Sequence, residues 1–197
     1  MSLKTDQTRA LALSTISFTV CFSIWTIFSI LGVQIKQDLA LNDTQFGLLV
    51  ATPILTGALS RLILGIWTDQ YGGRIVMTLT MLLSAISTYL LSSVKTYEMF
   101  LVAALGVGLA GGAFAVGITY ISTWYEKEKQ GTALGIFGVG NVGAAITNFG
   151  APLIMVALGW HGLTKTYAII LFVTAILFFL FAKDDPKLVA RKAKKEK

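Results

Sequence analysis

A chain of 197 residues has the length of one soluble domain or two small ones, but 55% hydrophobic against 13% charged residues excludes a water-soluble core. Apolar runs of roughly 18 or more residues mark membrane-spanning helices instead. The net charge of +6 is no nucleic-acid signature, because all the Lys and Arg but one fall outside the apolar runs, and the lone Cys21 excludes an intramolecular disulfide.

The runs predict an all-α membrane protein, a six-transmembrane-helix bundle. The spans lie at about 11–34, 46–68, 75–94, 97–121, 131–157 and 166–182. A tail of residues 1–10 precedes the bundle of 11–182, and a basic tail of 183–197 follows it. An even number of spans puts both termini on one side. Placing them in the cytoplasm leaves only Lys36, Lys95 and Lys165 outside, with the other loop and tail cations inside, as the positive-inside rule requires. The first run is too long for a signal-peptide core.

In the first span, Trp25, Phe28 and Gly32 share a face. Most aromatics in such a helix face lipid or a neighbouring helix. Asn42-Asp43-Thr44 forms an N-cap cluster for the second span. That span carries Arg61 among aliphatics, eight residues before Asp69 and so about 12 Å inside the helix end. An arginine at that depth costs about 2.5–3.5 kcal/mol, which makes it a functional-site candidate. It could instead snorkel or hold a structural ion pair. However, every Asp and Glu falls in a loop or tail, and an unpaired cation there points to an anionic cargo.

The following link, Gly65 to Arg74, contains Asp69 and the pair Gly72-Gly73, which permits a tight turn whose Asp and Arg can tie helix ends together. The third span offers only Ser and Thr as polarity. Eleven of the 19 glycines then fall between Gly106 and Gly150, many at the spacing that lets helix backbones approach closely. Within Gly135-Ile-Phe-Gly138-Val-Gly140-Asn141-Val-Gly143, Asn141 is an amide that needs a partner in an apolar helix. It suits interhelical bonding and anion donation equally, whereas Asn148 reads as interhelical glue. The loop 125–130 and His161 read as solvated, the sixth span as featureless and the lysine-rich tail as solvated, able to touch anionic lipid.

No metal-spaced set, nucleophile–base pair or P-loop is present, so the sequence points away from an enzyme and implies no cofactor. Gly106-Val-Gly108-Leu-Ala-Gly111 fits a dinucleotide pattern but lies inside a hydrophobic span with no strand before it.

The link Gly65-x-x-x-Asp69-x-x-Gly72-Gly73-Arg74 resembles the loop between helices two and three of major facilitator transporters, with Gln70 where arginine is common. The run ending Gly140-Asn141-Val142-Gly143 resembles the signature of the nitrate/nitrite porter family, as do Phe22-x-x-Trp25-x-x-Phe28-Ser29-x-x-Gly32 and Gly111-Gly112-Ala113-Phe114. The resemblance covers the whole chain but one half of the family's two-half architecture. It implies nitrate or nitrite as cargo in a bacterial cytoplasmic membrane. Arg61 would hold the planar anion, Asn141 would donate to it and Phe114 would flank it, while Gly138 and Gly140 let the backbone approach. It also implies a second six-helix half as partner, as a separate chain or second copy, carrying a second arginine. Lipid is the surrounding solvent, and no nucleic acid is involved. Two other readings stand beside this one: a non-transporting fragment or assembly partner, and a carrier of another small anion such as formate. The lack of a membrane-embedded carboxylate or histidine favours nitrate/nitrite exchange over proton symport.

Overall fold

The computed structural model describes residues 3–186 and 188–190. These form α1 (Leu3–Trp25), α2 (Phe28–Asp38), α3 (Asp43–Tyr71), α4 (Gly73–Leu91), α5 (Tyr97–Gly108), α6 (Ala113–Trp124), α7 (Lys127–Gly138) and α8 (Gly143–Phe181). Two 3-10 turns, Leu109–Gly112 and Val139–Val142, join α5 to α6 and α7 to α8. Among the described residues, five continuous stretches are long and apolar enough to cross a bilayer: Lys4–Asp38, Asp43–Tyr71, Gly73–Leu91, Tyr97–Trp124 and Lys127–Phe181. The last runs for 55 residues, about twice what a bilayer needs, and breaks at Gly159, where φ is 68° and ψ 175°. Just past the break Trp160 reaches Asp38 at the end of α2, whereas Lys183, just past α8, pairs with Asp6 near the start of α1. The two arms of that stretch therefore run in opposite directions, and the expected six crossings are present.

Local chemistry sets the helix ends. Asn42 accepts from the Gln45 N–H at 2.9 Å while the Gln45 side chain accepts from the Asn42 N–H at 3.1 Å, a reciprocal cap that starts α3 as expected. Between α3 and α4 the turn is a single residue, Gly72, at φ 91°, a conformation that side chains other than glycine rarely adopt. Gly73 then lies flat on the Tyr120 ring.

Several buried hydroxyls find their partner within their own helix, although that of Ser14 has none among the described residues. Thr52, Thr68, Thr80 and Thr88 each donate to the carbonyl four residues back. Where they cross to another helix they tie it: Ser23 donates to the Gly143 carbonyl at 3.0 Å, and Thr147 donates to the Ser23 carbonyl at 2.6 Å. Those bonds lock α1 to the start of α8. The core between them is aromatic, with Phe18 stacked on Phe137 at 4.7 Å between ring centroids.

Both ends depart from expectation. Residues 3–10, expected in a loose tail, already form the first turns of α1, and Gln7 donates to the Trp124 carbonyl at 2.6 Å. The start of the second tail is also docked: Asp185 is 3% exposed. Lys187 and residues 191–197 of that tail lie outside the described residues.

Candidate functional site

Arg61 sits 18 residues into α3, half-buried, with no carboxylate in ion-pair reach among the described residues. The protein holds it by other means. Its Nε donates to the Gly111 carbonyl at 3.2 Å, a group presented by the 3-10 turn between α5 and α6. Its guanidinium carbon lies 5.3 Å from the centre of the Trp25 ring and 5.4 Å from that of Phe114. Cation–π contacts of this kind give roughly 0.5–2 kcal/mol each and leave the charge uncompensated. The two terminal nitrogens have no protein acceptor among the described residues. They form the edge of the fork that suits a planar oxyanion.

Trp25 is wedged in place. A Cβ built on Gly57 or on Gly111 would lie 2.6 Å from its indole, so both positions must stay bare for the ring to fit. Its Nε1 donates to the Pro53 carbonyl at 2.8 Å. Another glycine lets α3 and α5 nearly touch: a Cβ on Gly108 would lie 2.8 Å from the Pro53 carbonyl oxygen. Trp25 therefore supports Arg61 from α1; the sequence placed it on a helix face and in a family-like motif but gave it no part in holding Arg61. The usable signal was Gly57, one helical turn before Arg61 on the same face.

The remaining site residues are placed as follows. Phe114 stacks on Phe137 at 6.0 Å and packs against Phe18 at 5.4 Å, so its ring is braced from behind. Asn141 is exposed in the 3-10 turn Val139–Val142, and its Nδ2 donates to the Gly138 carbonyl at 2.7 Å. That bond lies within one helix and joins it neither to Arg61 nor to another helix. Around the position of a Gly138 Cβ the space is open, whereas Gly140 is covered by the Phe18 ring. Gly140 thus admits helix α1, and Gly138 is the glycine with room in front of it. Asn148, expected as interhelical glue, has no hydrogen-bond partner among the described residues and lines an open hollow.

At the other end of α3, Gly65 faces open space and Asp69 is exposed. Arg74 leans over the Phe179 ring at 4.7 Å, donates to the Phe179 carbonyl at 2.9 Å and approaches Asp184 at 3.5 Å. The Gly73 N–H donates to Asp185 at 2.7 Å, and Thr123 donates to the same carboxylate at 3.1 Å. Burial pushes the Asp185 carboxyl above the ordinary carboxylate range, partly offset by those two bonds. Sequence reading missed Asp185 because a Lys-Asp-Asp-Pro run looks solvated.

A half-bundle of six crossings with an unpaired arginine on an open face has the form of a membrane transporter half. The family model of the Major Facilitator Superfamily matches residues 13–197, and the chain belongs to that superfamily. A bacterial homologue of the human lysosomal transporter Spinster, solved inward-facing and unoccupied, superposes with a TM-score of 0.79 at 20% identity, over 91% of this chain and 44% of that one. Among curated proteins, the chain is 40% identical over 195 residues to the probable nitrate/nitrite antiporter NarK1 of Thermus thermophilus, covering 92% of this chain and 44% of the relative. It is 33% identical over 179 residues to the nitrite extrusion protein of Bacillus subtilis, covering 91% of this chain and 45% of that protein. The chain spans about half the length of the curated relatives it matches.

Proposed function

We propose that this chain is one half of a transporter that carries nitrate or nitrite across a bacterial cytoplasmic membrane by alternating access. The observation that carries the reading is the unpaired guanidinium fork of Arg61, braced by two rings and one carbonyl with its outer edge free. Phe114 flanks the anion, Asn141 donates the second hydrogen of its amide, and Gly138 leaves room for the cargo at the helix surface. Gly140 contributes through the ring cluster behind the site. The link Gly65, Asp69, Gly72, Gly73 and Arg74 serves as the inner gate, with both termini on the cytoplasmic side in keeping with the distribution of Lys and Arg.

A second six-helix half completes the transporter. Support comes from α7, where Gly131, Gly135 and Gly138 have nothing within 4 Å of a built Cβ. Lipid gains nothing from bare glycine, whereas an incoming helix does. Exchange of nitrate for nitrite is the favoured coupling, since Arg61 is accompanied by no embedded carboxylate or histidine among the described residues.

The test is nitrate uptake with Arg61→Lys. Lysine keeps the charge and loses the planar fork. Loss of one charge-assisted bond, about 1.5–3 kcal/mol, lowers uptake roughly 10- to 100-fold at an unchanged membrane level. Undiminished uptake would overturn the assignment of Arg61. Displacement of nitrate by an equal concentration of formate would reassign the cargo.

A further inference from the structure

The segment that follows α8 turns back onto the link between α3 and α4. A Cβ built on Gly72 would lie 2.6 Å from Asp185 Oδ2 and 2.8 Å from the Leu188 side chain, so the segment rests directly on that turn. It is fastened from three helices. Tyr120 of α6 donates to the Lys183 carbonyl at 2.6 Å, Lys183 pairs with Asp6 of α1 at 2.9 Å, and Arg74 of α4 approaches Asp184 at 3.5 Å. Asp185 lies at the centre, buried, and accepts from the Gly73 N–H.

The charges around Asp185 do not favour its ionised form. The cations at this end, Lys183, Arg74 and Arg9, are engaged by Asp6, by Asp184 and by the Phe181 ring. Asp185 has no ion-pair partner among the described residues, and the charge acting on it is the like charge of Asp184. From α6 comes Tyr120, and from α3 Asp69 and Tyr71, both exposed. A carboxylate buried on these terms is costly, and the neutral acid is the favoured form. The Thr123 contact agrees. Its hydroxyl has one proton and two acceptors within reach, the Tyr120 carbonyl at 2.7 Å and Asp185 Oδ1 at 3.1 Å. With that proton on the shorter bond, the Asp185 contact is closed only by a proton on Asp185 itself, donor and acceptor exchanging roles.

We propose that Asp185 is a proton-binding site: as the neutral acid it donates to Thr123, accepts from Gly73 and straps the segment after α8 across the α3–α4 turn. Loss of the proton to water leaves a buried, unpaired charge and loosens the strap. The site holds whatever the cargo is. Where the link acts as the inner gate, a consequence that rests on the transporter reading, the proton on Asp185 sets how firmly that gate is held.

The test uses the purified chain in detergent and needs no transport. Infrared spectra are recorded against pH for the parent and for Asp185→Asn. The parent is expected to show the carbonyl band of a protonated carboxylic acid above the range in which solvated carboxylates titrate, about 3.9–4.3. The band is lost as pH rises further and is absent from Asp185→Asn. Its absence from the parent throughout overturns the proton site, whether or not the variant folds. A nitroxide on Val189→Cys then reports the strap, since the Val189 N–H donates to the Asp185 carbonyl and Cys21 is buried away from the label. Its mobility should rise over the pH range in which the band disappears. In Asp185→Asn, which keeps an acceptor for Gly73 and a donor for Thr123, it should stay low. Mobility that ignores pH in the parent, or that rises equally in both proteins, overturns the strap. Neither result bears on Arg61, whose reading stands or falls by nitrate uptake.

Discussion

The placing of the Arg61 guanidinium depends on more than the groups it contacts. Gly57 and Gly111 keep Trp25 flat beneath it, and Phe18 and Phe137 brace Phe114. Gly111→Ala would push a methyl group into the indole, and crowding of that kind costs about 1–3 kcal/mol. Gly135→Ala meets open space and sits mid-helix, so the isolated chain should gain about 0.5–1 kcal/mol from reduced backbone entropy. Thermal unfolding of the two variants in detergent should therefore move in opposite directions. A Gly111→Ala protein as stable as its parent would contradict the wedge. The depth of Arg61 within its helix was legible in the sequence, because position along a helix is fixed by counting. The role of Trp25 was not, since the glycines that seat it come from two other spans and only their packing reveals the pocket.

At the level of elements, the turn between α3 and α4 was legible in its glycine pair, whereas its clamp was not. Asp185 approaches from far along the chain to hold the Gly73 N–H, and only the fold brings them together. Asp185→Ala leaves that buried N–H unpaired and should cost about 1–3 kcal/mol. Asp185→Asn keeps an acceptor and should be close to neutral. The pH dependence separates charge from shape. Burial raises the Asp185 pKa, so the folded protein binds this proton more readily than the unfolded chain. Its stabilising contribution is present below the ordinary carboxylate value, about 3.9, and is lost as pH rises through the raised folded value. Unfolding temperatures recorded from pH 4 upwards should show that decline in the parent and lack it in Asp185→Asn. Equal slopes would place the carboxylate in a solvated position. The glycine-rich spans show the same division: their close approaches were readable from spacing, but the two 3-10 turns, one of which turns the Gly111 carbonyl towards Arg61, were not. Spacing specifies which residues share a face, not where the helix tightens.

At the level of the whole molecule, the six crossings were legible because bilayer thickness sets span length. The break at Gly159 leaves a tighter connection between the last two than the loop expected there. The second half proposed here was suggested in the sequence only by resemblance. The open glycine face of α7 and the free fork of Arg61 lie on surfaces that a lone half leaves bare, and the relatives' length is about twice that of this chain. The most direct test expresses the chain in cells lacking their own nitrate transporters, alone and together with the remaining half of the Thermus thermophilus relative. The account predicts nitrate uptake with both halves present, lost in Arg61→Lys. Uptake by the chain alone would mean that two copies build the site. Both halves reaching the membrane and associating, with no uptake above background, would contradict the account.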